Sequence, residues 1–279
     1  MTRPPARTPR DAPPRGEAMA KLRAAARDFA AAWARPRKVE RNRDLRVLEA
    51  MLTLAFCAGF VAIGAFYDAD VTRRAAKFSP GVVAFFQQVT KLGSSGYVFV
   101  LTGLATIGGV LARGRGLGRR IDAGLAVLAG RGFFLFALAL ASGLLSQVIK
   151  HLFGRARPRL MDIVGPMHFD AFSITATYAS FPSGHTVTAF AMAAGLGYMA
   201  PRLRPPLYFV ATMVAISRVA IGAHYVSDVL AGAGIGYGCA VLARRAFAAR
   251  RIVFAPRDGT LRARGRGLAG LVVTRAFGR

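Results

Sequence analysis

Long apolar runs separated by short polar loops dominate the pattern of this sequence. Six runs qualify, or nearly qualify, as membrane-spanning helices, which need about 20 largely apolar residues. They are residues 47–67, 97–112, 132–147, 186–200, 207–223 and 226–242. One or two such runs would fit a buried soluble core, but six in succession would not. The pattern therefore predicts an all-α, polytopic membrane bundle with six transmembrane helices.

The basic residues of the loops predict the orientation of this bundle. With the N-terminus inside, the inner segments contain 29 Lys and Arg residues and the outer loops contain 8. The inner segments are 1–46, 113–120, 201–206 and 244–279, and the outer loops are 68–96 and 150–182. Because cytoplasmic loops are the ones enriched in Lys and Arg, both termini are predicted to be cytoplasmic.

Three regions follow from these boundaries. Residues 47–245 are predicted to form the membrane domain, between basic cytoplasmic tails at 1–46 and 246–279. The first tail is expected to be disordered, with one alternative: a helix near Leu22, Phe29 and Trp33 that lies on the bilayer surface. In the first outer loop, residues 80–89 predict a short helix, which either lies in the outer interface or packs on the bundle as a cap.

Composition agrees with the membrane prediction and excludes other classes. The formal charge of +26 would suggest a nucleic-acid binder, but a mean hydropathy of +0.38 does not fit a soluble basic protein. Basic cytoplasmic ends explain the charge, so no nucleic-acid partner is expected. Two cysteines in the whole chain cannot form a disulfide framework or a zinc site.

Polar residues at the outer ends of the predicted spans form three segments that the topology places on one face. The first runs from Lys150 to Pro158, the second from Phe181 to Thr186, and the third from Ser217 to Asp228. Lys150, Arg157 and Arg218 are cations at the membrane boundary, where ionisable residues are costly and usually functional. Arg and Lys suit phosphate oxygens.

The second and third segments add an anion cradle and acid–base groups. Pro182, Ser183, Gly184 and His185 open a helix, whose free N–H groups bind anions. His224 and Asp228 are four residues apart, so on a helix Asp228 would fix the tautomer of His224 and leave the other nitrogen to attack phosphorus. From another helix, His185 could protonate the leaving oxygen.

Each of these residues also has an ordinary structural interpretation when it is taken alone. Lys150 fits a snorkelling lysine at a helix end, and His224 with Asp228 fits a structural pair. Arg157 fits a loop salt bridge, and Arg218 fits an interface anchor. These separate interpretations do not explain why all the residues fall on one face. We therefore predict a site for a tetrahedral oxyanion there, with no metal or other cofactor, since Asp228 is the only acidic residue in the three segments.

The three segments resemble the signature of the type 2 phosphatidic acid phosphatase (PAP2) superfamily, K-x6-RP, PSGH and SR-x5-H-x3-D. Lys150, Arg157 and Pro158 match the first part, and residues 182–185 match the second. Ser217, Arg218, His224 and Asp228 match the third part. The order of six spans is also similar to the integral-membrane members, so the resemblance covers about residues 47–245.

The resemblance implies a role for each matched position. His224 would be the nucleophile that forms a phosphohistidine, Asp228 would orient it, and His185 would be the general acid. The phosphoryl oxygens would be held by Lys150, Arg157, Ser183, Gly184 and Arg218. Pro158, Pro182 and Ser217 would support the motifs.

The predicted function is a metal-independent lipid-phosphate phosphatase of the bacterial inner membrane, with a periplasm-facing site. Its partners would be the bilayer and a lipid phosphate substrate, of the undecaprenyl diphosphate, phosphatidylglycerophosphate, phosphatidic acid or lipid A type. One alternative is an oxidoreductase similar to the vanadate-dependent haloperoxidases, and another is a catalytically silent lipid-binding or transport protein. Glycines of the last span allow close helix contacts within or between chains, and no oligomeric state is predicted.

Overall fold

A computed structural model describes residues 15–34, 43–257 and 260–263 of the chain. This part is mostly helical, with nine α-helices and one β-hairpin. The disorder predicted for residues 1–14 and 35–42 lies outside the described residues, as do residues 258–259 and 264–279 of the second predicted tail. The helices are α1 (Arg15–Trp33), α2 (Arg43–Ala75), α3 (Pro80–Val89), α4 (Ser95–Ala112), α5 (Arg119–Phe153), α6 (Met161–Val164), α7 (Gly184–Met199), α8 (Arg204–Ala220) and α9 (Val226–Ala249).

Parts of both predicted tails are folded, and in the first tail the fold is the helix that was the alternative to disorder. In α1, Phe29 and Trp33 are one turn apart and pack on Phe133 and Phe247, with ring centroids 4.5 and 5.5 Å apart. Residues 15–33 therefore form a helix against the end of the bundle, because that end offers aromatic partners. Beyond α9, strands β1 (Phe254–Arg257) and β2 (Thr260–Ala263) form an antiparallel hairpin. Phe254 is fully buried in the same core.

Helices correspond to all six predicted spans, and three stretches of the described residues are long and apolar enough to cross a bilayer. These are Pro80–Ala112, which includes α3 and α4, Arg119–Phe153 and Val226–Ala249. Helices α7 and α8 have only 16 and 17 residues, or about 25 Å at 1.5 Å per residue. The number of six spans and the cytoplasmic termini stay predictions.

Helix α7 lies at the centre of the bundle, in contact with α5, α8 and α9. Two glycines of α9 allow the close approach of α9 to α7. A Cβ at Gly232 would lie 2.8 Å from the Ser183 carbonyl oxygen, and one at Gly236 would lie 2.9 Å from the Ala191 nitrogen. These two glycines of the last predicted span therefore make close contacts within the chain.

The segment between α2 and α4 lies over the end of the bundle where the three motifs meet. Helix α3 packs against α8 and has no buried residue, and its Phe85 is 61% exposed. A 3-10 turn, Thr90–Gly93, follows it. A Cβ on Gly93 would lie 2.5 Å from Val214 Cγ1 and 3.1 Å from the His185 carbonyl oxygen. Only glycine allows this turn to lie so close to α7 and α8.

Candidate active site

The three motif segments surround one cavity of about 450 Å³. They approach it from the end of α5, the beginning of α7, and the loop that joins α8 to α9. The predicted site residues that line the cavity are Lys150, Arg157, Gly184, His185, Arg218 and His224. The structure therefore brings together the cations, the helix N-terminus and both histidines of the prediction.

His224 lies in the loop between α8 and α9 and is almost completely buried. Gly222, with φ of +65°, turns the chain, and the His224 N–H then donates to the Arg218 carbonyl oxygen at 3.2 Å. The imidazole Nδ1 lies 3.5 Å from Asp228 Oδ2, too poorly placed for a hydrogen bond. Burial lowers the pKa of His224 from its ordinary value of 6.5 to about 4, although Asp228 opposes the shift. The imidazole is therefore neutral at pH 7.

Asp228 is fully buried in the first turn of α9, and both of its oxygens accept hydrogen bonds. Oδ1 accepts from Arg155 at 2.6 Å. Oδ2 accepts from the Ser180 hydroxyl at 2.6 Å and from the Tyr225 N–H at 3.0 Å. These bonds hold the carboxylate beside His224, and its role in orienting the imidazole stays a prediction.

Arg155 and Asp68 form a buried ionic cluster with Asp228 that the sequence analysis missed. One guanidinium nitrogen of Arg155 donates to Asp228, and the other donates to Asp68 Oδ2 at 2.8 Å. Asp68 comes from α2 and also accepts from the Ser227 N–H at 3.0 Å. Burial alone would lower the pKa of Arg155, but the two carboxylates raise it. A single arginine therefore forms ion pairs with two buried carboxylates.

Two signals in the sequence could have indicated this cluster. Arg155 is a further cation inside the first motif segment, two residues before Arg157, and Asp68 is an acid at the outer end of a predicted span. An ionisable residue at such a depth is a candidate functional residue. Pairing them requires knowledge that α2 packs against α9, which no local pattern provides.

The three predicted phosphate-binding cations are held by uncharged oxygens. Lys150 Nζ donates to the carbonyl oxygens of Ala179 and Pro182, at 2.8 and 2.6 Å. Arg157 donates to two carbonyl oxygens, at 2.8 and 3.3 Å, and Arg218 donates to the Thr90 hydroxyl at 2.8 Å. None of the three forms a salt bridge with a carboxylate of the described residues. Their positive charge is therefore available to an anion in the cavity.

The N-terminus of α7 adds backbone donors to these cations. Ser183 is its N-cap, and the N–H groups of Gly184 and His185 have no acceptor within the described chain. Free N–H groups at a helix N-terminus favour an anion. The Ser183 hydroxyl instead accepts from Thr186 Oγ1 at 3.0 Å, and Ser183 is absent from the cavity lining. Its role as a phosphate ligand stays a prediction.

The three motif-support residues lie outside the cavity lining. Pro158 is buried and begins a 3-10 turn after Arg157, and the carbonyl of Pro182 holds Lys150 at 2.6 Å. The Ser217 hydroxyl donates back to the Val214 carbonyl at 2.6 Å within α8. Within the described residues, no three His, Cys, Asp or Glu side chains form a group that could hold a metal ion. Metal independence of the reaction stays a prediction.

Known proteins are similar to this part of the chain. Residues 131–252 match the PAP2 superfamily. Lipid A 1-phosphatase of Rhizobium etli is 41% identical over 105 residues, which are 38% of this chain and 45% of that protein. Phosphatidylglycerophosphatase B of Bacillus subtilis is 33% identical over 104 residues, which are 33% of this chain and 46% of that protein. The chain spans about half the length of the curated relatives it matches.

A solved structure is similar over a longer part of the chain. The crystal structure of a transmembrane PAP2-type phosphatidylglycerolphosphate phosphatase from Bacillus subtilis covers 71% of this chain and 93% of its own, with 24% sequence identity and a TM-score of 0.49. The matched segment 131–252 contains Lys150, Arg157, His185, Arg218 and His224, all of which line the cavity. The segment of this chain that is similar to the PAP2 superfamily is therefore the segment that supplies the charged residues of the cavity.

Proposed function

We propose that this protein is a metal-independent phosphatase that removes a phosphate from a membrane lipid by way of a phosphohistidine on His224. One observation supports this proposal most directly. Lys150, Arg157 and Arg218 face a cavity without a carboxylate partner among the described residues, beside a buried neutral imidazole. Three such cations need an anion of high charge, and a phosphoryl group supplies it.

The geometry of His224 supports a different role for each of its two nitrogens. Nδ1 is turned toward Asp228 at 3.5 Å, so Nε2 is the nitrogen left for the phosphorus. In the first step Nε2 attacks phosphorus, the P–O bond to the lipid breaks, and His185 gives its proton to the departing oxygen. In the second step water attacks the phosphohistidine, and His185 takes the proton of that water. Phosphate then leaves, His224 is free of the phosphoryl group again, and His185 has regained its proton.

The cations and the α7 N-terminus stabilise the charge that develops during these steps. Phosphoryl transfer depends on positioning and electrostatic stabilisation. Lys150 and Arg218 are held by neutral oxygens at 2.6–2.8 Å, so they are already fixed when the substrate enters. Preorganised donors of this kind contribute to the rate because they need no reorganisation in the transition state.

A lipid is the substrate class that fits the remaining wall of the cavity. Phe99 of α4 and Leu140 and Leu144 of α5 line it beside the cations. Leu144 is 59% exposed on the outer surface of the bundle, so the apolar wall continues to the surface that would face acyl chains. The named activities of the relatives, on lipid A and on phosphatidylglycerophosphate, agree with a lipid phosphate or diphosphate. The excess of basic residues in the predicted inner segments supports a site at the outer leaflet of the inner membrane.

The test is phosphate release by the full chain reconstituted in vesicles. The panel contains lipid A 1-phosphate, phosphatidylglycerophosphate, undecaprenyl diphosphate and phosphatidic acid, each with EDTA present. We expect release from at least one lipid, unchanged by EDTA and blocked by vanadate, a mimic of the phosphoryl transition state. Activity that EDTA abolishes and magnesium restores would refute the mechanism.

A matched pair of histidine variants tests the covalent step. After a brief pulse of labelled substrate, we expect acid-labile phosphate on the wild-type protein and none on His224→Ala. His151→Ala is the control, because His151 lies in the last turn of α5, contacts the Ser173 carbonyl oxygen at 3.0 Å and does not line the cavity. Labelled phosphate trapped on His224→Ala would show that another residue is the nucleophile.

A further inference from the structure

Ser146 on α5 is a buried polar residue that the proposed reaction has not used. It is 2% exposed, it lines the cavity, and its hydroxyl has no hydrogen-bond partner within the described residues. It precedes Lys150 by one helical turn, so both side chains lie on the same face of α5. Buried hydroxyls usually find a partner, so an orphaned one calls for an explanation.

The neighbouring Ser142 shows that the orphaned state is specific to Ser146. A helical serine commonly donates its hydroxyl to the carbonyl three or four residues earlier. Ser142 is equally buried and does so, with the Ala139 carbonyl oxygen at 3.3 Å. Ser142 is absent from the cavity lining, whereas Ser146 belongs to it. The hydroxyl without a partner is therefore the one that borders the site.

Ser146 also lies close to the other anion-binding groups. A Cβ on Gly184, the first residue of α7, would lie 3.8 Å from Ser146 Oγ and 3.9 Å from Lys150 Cε. The helix N-terminus, the lysine and the serine thus surround one small volume. Each of these groups can donate a hydrogen bond, and donors that converge on one point fit an oxygen with negative charge.

We propose that Ser146 is a further phosphate ligand, whose hydroxyl donates a hydrogen bond to a non-bridging oxygen of the bound phosphoryl group. The assignment rests on the proposed function and extends it by one residue outside the three motifs. The bond leaves Ser146 neutral and involves no transfer of a proton, so its contribution is the binding of the anion. It also explains why the hydroxyl has no partner within the described residues.

The test compares Ser146→Ala with Ser142→Ala in the full chain, with vanadate as the probe. A hydrogen bond to a charged oxygen is worth about 1.5–3 kcal/mol, so we expect vanadate inhibition to weaken roughly 10- to 100-fold in Ser146→Ala. Vanadate should inhibit Ser142→Ala as strongly as the wild type. Ser146→Thr, which keeps a hydroxyl, should recover most of the vanadate inhibition that Ser146→Ala loses. Equal effects of the two alanine variants, or unchanged inhibition of Ser146→Ala, would overturn the assignment.

Thermal unfolding separates this assignment from the proposed function, because it reports anion binding without turnover. We expect vanadate to raise the unfolding temperature of the wild type more than that of Ser146→Ala. Without vanadate, Ser146→Ala should unfold at the wild-type temperature or above it, since no hydrogen bond is lost. A wild type that vanadate stabilises but that hydrolyses no lipid refutes the proposed function and leaves this assignment supported. If vanadate does not raise the unfolding temperature of the wild type, the assignment of Ser146 is wrong.

Discussion

The two sides of His224 differ in how completely their polar groups are paired. On the side of Asp228, every carboxylate oxygen of Asp68 and Asp228 accepts at least one hydrogen bond, and Arg155 joins the two acids. On the cavity side, Arg218 Nε and the Ser146 hydroxyl have no partner among the described residues. The charged groups of the first side are paired with one another, although His224 Nδ1 has no hydrogen-bond partner there, whereas the charged groups of the second side have no carboxylate partner among the described residues.

This difference separates the residues beside Asp228, which hold other side chains in place, from the residues of the cavity, which are free to bind an anion. A fully paired buried cluster is rigid, and it is costly to break because the remaining charges lose their partners. Unpaired buried donors reduce the stability of the free protein, and a ligand restores what they lack. Variants of the paired cluster should therefore affect folding, and variants of the cavity side should affect phosphate chemistry.

The largest effect is expected from Arg155→Met, which removes the cation between two buried carboxylates. Loss of one partner from a buried ion pair costs about 3–5 kcal/mol, so we expect the free energy of unfolding to fall by that amount or the chain to fail to fold. Denaturant unfolding in detergent measures it. Arg159→Met is the control, because Arg159 is exposed. A stable Arg155→Met variant would contradict the structural role of the cluster.

Arg218→Met should give the opposite pattern, with activity lost and the fold kept. Removal of one preorganised donor to developing charge lowers kcat by about 10²–10³ in known cases, and we expect a loss of that size. The free energy of unfolding should change by about 1 kcal/mol or less, since Arg218 makes one side-chain bond to a neutral hydroxyl. Steady-state kinetics and denaturant unfolding of the same preparation give both numbers. A variant that loses stability and activity together would remove the contrast between the two sides.

Thr90→Val should give a smaller effect by releasing Arg218 rather than removing it. The Thr90 hydroxyl holds the Arg218 guanidinium at 2.8 Å, and one hydrogen bond is worth about 0.5–1.5 kcal/mol. We expect kcat/KM to fall about 2- to 10-fold, with full recovery in Thr90→Ser. Equal losses in both variants would mean that the hydroxyl does not position Arg218.

The smallest effect on activity is expected from a moderate decrease in pH. Because burial lowers the pKa of His224 to about 4, the proposed nucleophile stays neutral at pH 5.5, and protonation of His224 should not slow phosphoenzyme formation between pH 7 and 5.5. The free energy of unfolding should also depend on pH, over an overlapping range. Between pH 6.5 and 4 the unfolded chain binds a proton at His224 that the folded chain does not, so the free energy of unfolding falls as pH falls. A single-turnover rate that declines with a midpoint near pH 6.5 would contradict the burial effect.

The sequence predicted the cavity side of the site better than the paired side. Lys150, Arg157 and Arg218 stand out because cations at span ends have no local partner, and His224 with Asp228 stands out because of helical spacing. Arg155 and Asp68 are 87 residues apart, and their pairing depends on the packing of α2. The helical segment near Phe29 and Trp33 was predicted only as an alternative. Its aromatic partners on α5 and α9 determine its position, and local composition does not reveal them.

The position of Asp68 determines how much of the chain is needed to keep the site intact. Asp68, Thr90 and Gly93 lie before residue 131, so all three are outside the segment that matches the superfamily. A chimera that grafts residues 131–252 onto other N-terminal helices would leave Arg155 opposite a foreign side chain and would place a Cβ against Val214. A fragment that keeps the site intact therefore begins with α2. Transfer of residues 131–252 alone would separate Asp68, Thr90 and Gly93 from the residues that they contact.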